Sequence, residues 1–512
     1  MFAQITSAAI RGIESYRVSV EVNLSRGLPS FSVVGLPQGA VRESRDRVWA
    51  ALGHLGVHVP SKKITVNLAP ADVKKGGSAF DLPIAVGLLA CAKEVPPSRA
   101  QGPAFLGELG LDGVLRPIRG ALAVAERCRR ERIRELILPR ANALEAAMIP
   151  GISVHAAGSL KEVVAHLEGE APLPPVAASP GLSHGGGPPA GGPDLAEVRD
   201  QDVPRRALEV AAAGGHNLLM VGPPGSGKSM LARRIPGILP PLELDEALEV
   251  TKVHSVAGAL APGTGVLQRR PFRAPHHTTS PAALAGGGNP IRPGEASLAH
   301  LGVLFLDELT EFNRNALETL RQPLAEGFVT VSRVRESVRY PARFTLVAAM
   351  NPCPCGYFGI ERARCVCTGA RLRSYWNRFS GPLRDRVDLH VQVPPVRLER
   401  LRAEGRAESS REVRGRVVAA RRIQARRYEG EGTLRTNAEL RGGQLRRWCG
   451  LCSSGEELLR SGARRMELSA RGVTRVLRLA RTISDLDHGG EISPDHLAEA
   501  LFFRSPRERA PA

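Results

Sequence analysis

The chain has 512 residues, of which 43% are hydrophobic, and a chain of this size can bury two or three cores. Lys and Arg exceed Asp and Glu by 19, which favours a polyanionic partner such as nucleic acid, although genomic bias toward arginine produces the same excess. The sequence has no run of about 18 apolar residues and no signal segment after Met1, so it predicts a cytoplasmic protein without a membrane partner. Eight cysteines in so long a chain do not indicate a disulfide framework.

Residues 1–168 alternate short strand-like runs with helical patterns. Examples are the strand-like run at 18–22 and the helical pattern at 41–55. This alternation predicts a compact α/β domain. Residues 169–193 contain seven Gly and seven Pro, a composition that neither continues a helix nor builds a core. We therefore interpret 169–193 as a linker.

Three segments of the first domain resemble the proteolytic domain of Lon-type proteases, which has a ribosomal S5 domain 2-like fold. They lie at 75–83, 113–120 and 137–142. In that family a lysine just after the second segment activates the serine, because a hydroxyl needs a nearby base to be nucleophilic. Residues 121–123 here are Ala-Leu-Ala, so the resemblance implies a Lon-like domain without proteolysis, and we expect Ser78 to cap a helix.

The motif GPPGSGKS at 222–229 follows an apolar run at 217–221. Its glycines let the backbone curl so that successive N–H groups point at an anion, with a helix N-terminus behind them. The motif predicts a strand leading into a nucleotide-binding loop, where Lys228 reaches the β- and γ-phosphates of ATP and Ser229 holds Mg²⁺. A chance match in a chain rich in Gly and Pro is the alternative. The predicted nucleotide-binding residues are Gly222, Pro223, Pro224, Gly225, Ser226, Gly227, Lys228, Ser229 and Met230.

Two further apolar runs end on polar side chains. The run at 303–306 ends on Asp307 and Glu308, and the run at 344–350 ends on Asn351. Buried parallel strands deliver such residues to one edge of a sheet. We therefore predict that Asp307 binds Mg²⁺, that Glu308 polarises the attacking water and that Asn351 orients it. A structural role is the alternative for an acidic strand end considered alone.

Four cysteines follow Asn351 closely, as two CxC pairs within 353–367. They are Cys353, Cys355, Cys365 and Cys367. Four thiolates at this spacing can complete a tetrahedral Zn²⁺ site, so we predict a structural zinc that pins a small loop remote from hydrolysis. Four reduced cysteines in a loop are the alternative. Cys449 and Cys452 form a separate CxxC, which is a weaker metal signal.

Several long segments after residue 194 resemble the YifB/ComM family of magnesium-chelatase-like AAA+ ATPases. Besides the GPPGSGKS motif, the resemblance rests on 205–217, 270–278, 292–300 and 301–309. The similarity covers nearly the whole chain, because that family also joins a Lon-like N-terminal domain to its ATPase. The family usually has glycine where this chain has Asp200.

The resemblance implies a three-layer α/β/α AAA+ domain at 194–395 and a C-terminal helical lid at 396–512. It also implies a helix-2 insert, at about 251–288, that faces a central pore. The basic residues of this segment would grip DNA phosphates, and they are Arg269, Arg270, Arg273, His276 and His277. A metal site is the alternative for the two histidines.

Two more arginines match functional positions of the family. Arg386 is similar in position to the arginine finger that related ATPases insert into a neighbouring subunit, with a surface ion pair as the alternative. Arg471 is similar to the sensor-2 arginine that contacts nucleotide phosphate. The arginine-rich stretch 396–427 is either a solvated helix face or a track for DNA.

The combined prediction is an ATP-dependent hexameric DNA motor, of helicase or branch-migration type, that acts in DNA recombination or natural transformation. ATP and Mg²⁺ are its predicted cofactors, DNA and identical subunits are its predicted partners, and recombination proteins are further candidates. A magnesium-chelatase-type motor subunit that drives a partner protein is one alternative, opposed by the Lon-like domain and the net charge of +19. A Lon-type protease is the other alternative, opposed by the missing lysine.

Overall fold

The structure, a computed structural model, describes most of the chain. The described residues are 1–37, 39–57, 62–71, 75–177, 192–333, 336–359, 365–395, 407–432 and 434–504. Most of the predicted linker, the start of the predicted lid at 396–406 and the middle of the cysteine loop at 360–364 lie outside these ranges. No helix within them is long and apolar enough to cross a membrane.

The N-terminal part of the chain is a mixed sheet with helices packed on it. Its strands are β1 (Phe2–Arg11), β2 (Glu14–Ser25), β3 (Ser30–Val34), β4 (Lys63–Ala69), β5 (Ala104–Phe105), β6 (Glu108–Leu109), β7 (Leu115–Arg116), β8 (Glu135–Pro139) and β9 (Ser153–Ala157). Seven of them form one sheet in the order β3-β4-β2-β1-β5-β8-β9, and β6 pairs separately with β7. The helices are α1 (Gly39–Arg42), α2 (Ser44–His54), α3 (Asp81–Ala92), α4 (Pro97–Gln101), α5 (Ala121–Arg130), α6 (Arg140–Ala147) and α7 (Leu160–Glu168).

Helix α3 is the centre of this N-terminal part. It packs against β1 and β2, and nearly all of its residues are buried. A Cβ atom on Gly87 would lie 2.6 Å from Val22, so glycine is needed for the helix to approach the sheet this closely. The prediction that Ser78 caps a helix is wrong. Phe80 holds the cap position of α3, while the Ser78 hydroxyl donates a hydrogen bond to Glu108.

The middle part of the chain contains a five-stranded parallel sheet and two hairpins. Its strands are β10 (Leu218–Val221), β11 (Phe272–Arg273), β12 (Gly286–Gly287), β13 (Arg292–Pro293), β14 (Val303–Leu306), β15 (Phe328–Arg333), β16 (Glu336–Pro341), β17 (Thr345–Met350) and β18 (Leu389–Gln392). The parallel sheet has the order β11-β14-β17-β10-β18, and the hairpins are β12–β13 and β15–β16. The helices are α8 (Asp202–Gly214), α9 (Lys228–Ala232), α10 (Ile235–Ile238), α11 (Leu244–Ala257), α12 (Pro281–Ala285), α13 (Glu295–Leu298), α14 (Arg314–Glu318), α15 (Arg321–Glu326), α16 (Gly369–Arg378) and α17 (Gly381–Arg384).

The parallel sheet is the middle layer of three. Alternate residues of β10 enter two separate hydrophobic clusters, with Leu218 and Met220 in one and Leu219 and Val221 in the other. Successive strand side chains point to opposite faces, so each face of the sheet is covered by its own helical layer. The predicted α/β/α class is thereby confirmed.

The C-terminal part is helical and continuous with the middle part. Its helices are α18 (Ser410–Arg427), α19 (Gly443–Trp448), α20 (Ser453–Arg465), α21 (Ala470–Leu486) and α22 (Pro494–Phe502). They share one hydrophobic cluster with α8 and the sheet. Two polar contacts reinforce this packing: Gln424 donates to the Ala213 carbonyl at 3.0 Å, and the His216 ring hydrogen-bonds Thr482 at 2.7 Å. Burial, followed by nearby arginines, lowers the pKa of His216 to about 3, so its ring stays neutral.

The N-terminal part packs against α11 of the middle part. Lys252 on α11 forms an ion pair with Glu126 on α5. The N–H of Gly120, which precedes α5, donates to the Ser255 carbonyl at 3.3 Å. Helix α11 therefore joins the two parts through both its side chains and its backbone.

The segment predicted as the helix-2 insert, 251–288, is not one continuous insert. Helix α11 ends at Ala257, and residues 272–273 form the edge strand β11 of the parallel sheet. The connection from β11 to β14 instead contains α12 and α13 with the hairpin β12–β13 between them. This hairpin packs beside β15–β16, since a Cβ atom on Gly286 would lie 3.2 Å from Val331. The error arose because a strand of two residues leaves no periodic pattern in the sequence.

Two of the arginines predicted to grip DNA make ion pairs within the fold. Arg270 pairs with Glu246 at 2.7 Å and donates to two backbone carbonyls at 2.8 and 2.9 Å. Arg273 makes two hydrogen bonds to Glu295, at 2.6 and 2.8 Å. Arg269 is exposed, so its predicted role in DNA binding stays a prediction. The geometry gives Arg270 and Arg273 a structural role instead.

We expect the Arg270→Ala substitution to destabilise the protein by on the order of 2 kcal/mol, because it leaves Glu246 half-buried without its closest cation. The thermal unfolding midpoint measures this effect. Arg269→Ala is the matched control and should leave the midpoint unchanged. Equal midpoints for the two variants, with equal losses of DNA affinity, would restore the original DNA-binding interpretation of Arg270.

Candidate nucleotide site

Three strand ends meet at one edge of the parallel sheet. Strand β10 pairs with β17 so that Val221 lies opposite Met350, and β14 pairs with β17 so that Leu306 lies opposite Ala348. The phosphate loop, Asp307 and Asn351 directly follow these strands. The hydrogen-bond register therefore brings together the three groups that the sequence placed about eighty and forty residues apart.

The phosphate loop depends on glycine at three positions. A Cβ atom on Gly222 would lie 2.2 Å from the Val393 carbonyl oxygen, so no side chain fits there. Gly225 and Gly227 have φ angles of 75° and 91°, in the left-handed region that favours glycine. Helix α9 then begins at Lys228. The loop therefore ends at a helix N-terminus, where backbone N–H groups can face an anion.

Lys228 is held at the base of this loop. Its ammonium donates to the carbonyls of Gly222 and Pro223 at 2.7 and 2.8 Å and to the Asn351 side chain at 3.2 Å. Burial lowers the pKa of Lys228, while the charges of Asp307 and Glu308 oppose that shift. A buried cation whose ligands are neutral oxygens is suited to exchange them for phosphate oxygens.

The acidic strand end is tied to the same loop. The Ser229 hydroxyl donates to Asp307 at 2.5 Å, and the other carboxylate oxygen of Asp307 accepts from the Glu308 N–H at 2.9 Å. A hydroxyl and a carboxylate are the hard oxygen ligands that Mg²⁺ prefers, so Ser229 and Asp307 fit the predicted cation. Glu308 has a φ of 50°, a left-handed backbone conformation that turns its side chain away from the strand. Its carboxylate is exposed.

His277 lies at this site and not in a separate DNA-binding loop. Its Nδ1 atom is 3.2 Å from the Glu308 carboxylate, and its ring packs edge-on against Phe312. The His276 ring is 4.0 Å from the His277 ring and hydrogen-bonds Thr278 at 2.9 Å. No local pattern predicts the contact with Glu308, because the two residues are 31 positions apart and follow different strands.

Sequence reasoning also missed Gln201. Its buried side chain donates to the Pro394 carbonyl at 2.8 Å and to the Ser226 carbonyl in the phosphate loop at 3.4 Å. The preceding residue, Asp200, has a φ of 56°. This left-handed conformation explains why the family usually has glycine there, and the departure at Asp200 was the one sequence signal that marked this part of the site.

Arg386 and Arg471 lie together, away from the phosphate loop. The Arg386 carbonyl accepts from Asn217 at 2.8 Å, and its guanidinium donates to the Pro382 carbonyl at 2.7 Å. Arg471 forms an ion pair with Asp385 at 3.7 Å. Burial and the positive charge of neighbouring arginines lower the pKa of Arg386. Because Asn217 precedes β10 and the loop follows it, both arginines lie near the opposite end of that strand.

The four cysteines predicted to bind zinc converge on one point. Their sulfur atoms all lie within 4.8 Å of one another. Cys353 is 3.2 Å from Cys355 and 3.7 Å from Cys365, and Cys355 is 3.5 Å from Cys365, distances too long for a disulfide. Desolvation opposes ionisation of Cys355, but hydrogen bonds from the Tyr357 backbone and from Cys353 lower its pKa to about 6.

The cysteine loop is not remote from the phosphate loop, and that part of the prediction is wrong. A Cβ atom on Gly356 would lie 2.6 Å from Pro224, so the two loops are in direct contact. Asn351, two residues before Cys353, hydrogen-bonds Lys228 as described above. The sequence distance between the motifs hid this contact.

Three family profiles match successive parts of the chain. Residues 20–142 match the family described as subunit ChlI of Mg-chelatase, residues 194–401 match magnesium chelatase, subunit ChlI, and residues 407–504 match its C-terminal region. Together with the parallel sheet and the helical C-terminal part, these matches define a magnesium-chelatase-type AAA+ protein.

Similarity to individual proteins extends over almost the full chain. The chain is 42% identical over 510 residues to protein YifB of Salmonella typhimurium, covering 98% of this chain and 97% of YifB. It is 41% identical over 507 residues to competence protein ComM of Haemophilus influenzae, covering 98% and 97% of the two chains. The magnesium-chelatase subunit ChlI of Euglena gracilis is 26% identical over 156 residues, covering 26% of this chain and 45% of ChlI. The chain therefore belongs to the YifB/ComM family of magnesium-chelatase-like AAA+ proteins, and this membership indicates an ATPase that uses ATP and Mg²⁺.

We expect Lys228→Ala to weaken ATP binding by on the order of tenfold or more, because the loop loses its one buried cation. Glu308→Gln should leave ATP bound but uncleaved, because the amide cannot polarise water. Binding of a fluorescent ATP analogue and phosphate release measure the two effects. Lys161→Ala, at an exposed lysine, is the control and should change neither. Unchanged affinity in Lys228→Ala would contradict the loop assignment.

Proposed function

We propose that this protein is an ATP-driven, ring-forming DNA motor of helicase or branch-migration type. The observation that carries the proposal is the arrangement of the ATP site: loop, Mg²⁺ ligands and Glu308 lie at one end of β10, and Arg386 lies at the other. In ATP hydrolysis Ser229 and Asp307 would bind Mg²⁺, and Lys228 would contact the β- and γ-phosphates. Glu308 would polarise the attacking water, and Asn351 would orient it.

The position of Arg386 supports hydrolysis between subunits. Asn217, which holds the Arg386 backbone, lies five residue steps before Gly222, a span of about 16 Å at 3.3 Å per residue. An arginine side chain is too short to cross that span within one chain. Arg386 would therefore stabilise phosphate in a neighbouring subunit's site, and Arg471, beside it, would act in trans as well. A ring is the closed assembly in which every subunit both gives and receives such a contact. By the family resemblance, we propose a hexamer.

DNA as the partner is supported by the net charge and by the two neighbouring hairpins. The chain carries +19, and exposed arginines lie on both hairpins: Arg292 on β13, and Arg333 and Arg339 on β15–β16. Arg339 also lies over the Phe328 ring at 3.2 Å, which leaves its charge at the surface. These hairpins replace Arg270, Arg273 and His277 in the proposed DNA contact, while the exposed Arg269 remains a candidate.

The name of one relative supports the proposed pathway. ComM of Haemophilus influenzae is a competence protein, and this chain is similar to it over almost its full length. We therefore propose a role in natural transformation or a related form of DNA recombination, with recombination proteins as partners. We propose a cytoplasmic location as well, and the zinc site is a separate proposal.

Mixing two inactive variants tests the ring. Arg386→Ala lacks the arginine that acts in trans, and Lys228→Ala lacks a working loop, so each should hydrolyse little ATP alone. In a mixed ring, some interfaces contain an intact loop and an intact arginine, and we expect partial recovery of phosphate release. Sedimentation with and without ATP measures assembly in parallel. Monomers at every ATP concentration, or no recovery on mixing, would contradict hydrolysis between subunits.

DNA binding should depend on salt and on the hairpin arginines. In a plot of log affinity for duplex DNA against log salt concentration, the slope should be about −0.9 for each phosphate neutralised. The double substitution Arg292→Ala and Arg333→Ala should therefore reduce the magnitude of this slope by about 1.8. Arg26→Ala with Arg460→Ala removes the same charge from exposed positions elsewhere and is the control.

Unwinding of forked DNA, with and without ATP, tests the motor itself. We expect ATP-dependent strand separation that the hairpin variant loses and the control variant keeps. Binding that ignores salt, with ATP hydrolysis intact and no unwinding, would favour the alternative of a chelatase-type subunit that drives a partner protein.

A further inference from the structure

The loop that carries the four cysteines begins at the candidate nucleotide site and ends at helix α16. It begins at Asn351, whose side chain contacts Lys228, and it ends at Thr368, the N-cap of α16. Trp376 on α16 donates from its ring nitrogen to the Pro352 carbonyl at 3.2 Å, in a buried hydrogen bond. The loop is thus anchored at both ends, and one pair of cysteines lies near each end.

The sulfur geometry fits a single tetrahedral metal ion. A Zn–S distance of about 2.3 Å gives a separation of about 3.8 Å between any two sulfurs of a tetrahedron. The measured separations of 3.2, 3.5 and 3.7 Å are close to that value, and all four sulfurs lie within 4.8 Å of one another. The Phe358 N–H donates to the Cys353 sulfur at 3.3 Å, as backbone groups do around bound thiolates. Oxygen ligands are absent from this group of four, which favours Zn²⁺ over Mg²⁺ or Ca²⁺.

The loop that carries the cysteines also packs directly against the phosphate loop. Gly356, between the two cysteine pairs, has a φ of 86°, and its N–H donates to the Cys353 carbonyl at 2.9 Å. A Cβ atom there would lie 2.6 and 2.8 Å from two ring carbons of Pro224. The turn that orients Cys355 is therefore the same turn that packs on the second proline of the phosphate loop.

We propose that Cys353, Cys355, Cys365 and Cys367 bind one Zn²⁺ ion and that this centre positions the ATP site. The ion fixes the turn at Gly356 against Pro224 on one side and the Asn351 side chain near Lys228 on the other. Loss of the metal frees both contacts at once, so nucleotide binding and hydrolysis depend on zinc although zinc touches no substrate. The second half of this inference rests on the proposed ATPase function, and the first half does not.

The metal content of the full chain tests the first half. Elemental analysis of protein purified without chelators should give about one zinc per chain. Cys353→Ser with Cys355→Ser should lower it to near zero, while Cys449→Ser with Cys452→Ser, which removes the CxxC pair, should leave it unchanged. Absence of zinc from the unmodified protein, iron with visible absorbance in its place, or zinc loss only in the CxxC variant would overturn the site.

Gly356→Ala tests the second half while keeping all four ligands. We expect zinc to remain near one per chain while affinity for a fluorescent ATP analogue falls on the order of tenfold, because the added methyl group displaces Pro224. The match between circular dichroism spectra of the variant and of the unmodified protein shows that the fold is intact. Gly359→Ala, at a loop glycine with a φ of 76° and open space around its Cβ position, is the matched control and should keep both zinc and affinity.

Two results would distinguish failure of the positioning role from failure of the proposed ATPase function. Unchanged nucleotide affinity and hydrolysis in both Gly356→Ala and the zinc-free cysteine variant would overturn the positioning role. An unmodified protein that holds zinc but neither binds nor hydrolyses ATP would contradict the proposed ATPase function, and with it the positioning role, while leaving the metal site in place.

Discussion

The hydrogen-bond register of a five-stranded parallel sheet is the constraint on which the rest of the site depends. Three short apolar strands end within two residues of one another in the register, and the polar residue after each is therefore delivered to the same edge. Two contacts then lock the edge: Ser229 to Asp307, and Lys228 to Asn351. Each contact joins the start of helix α9, which follows β10, to the residue after another strand, so a shift of register by one residue would break both contacts and would turn the strand side chains to the wrong faces. Hydrophobic layers on both faces of the sheet resist such a shift.

Positive charge serves two different purposes in this chain. Some arginines belong to the architecture: Arg270 and Arg273 fasten the edge strand β11 to helices α11 and α13 through half-buried ion pairs. Others, such as Arg292 and Arg333 on the hairpins, stay exposed. Composition cannot separate these groups, because both contribute equally to the net charge of +19. The neighbouring residues do separate them, since a half-buried guanidinium needs a carboxylate or carbonyl partner and an exposed one does not.

The parts of the candidate site that could be predicted from the sequence are those specified by contiguous residues. The phosphate loop, the acidic pair and Asn351 each combine an apolar strand with its own polar end, so local pattern and position in the fold agree. The insert was misplaced because β11 has only two residues and the hairpin β12–β13 is rich in glycine, which gives no periodic signal. The contact between His277 and Glu308 and that between Gly356 and Pro224 join distant segments, and no single segment contains the information that specifies either.

These long-range contacts have a common consequence for how the site works. Residues that line the candidate nucleotide site are each in contact with a residue of another segment: Glu308 with His277, Asn351 with Lys228, and Pro224 with Gly356. Catalysis by positioning tolerates errors of only a fraction of an ångström, so these neighbours matter as much as the groups themselves. Under the proposed mechanism, the arginine that completes the site comes from another subunit, because Arg386 lies at the far end of β10. One chain would then supply a positioned but unfinished site, and strand β10 would link subunit assembly to hydrolysis.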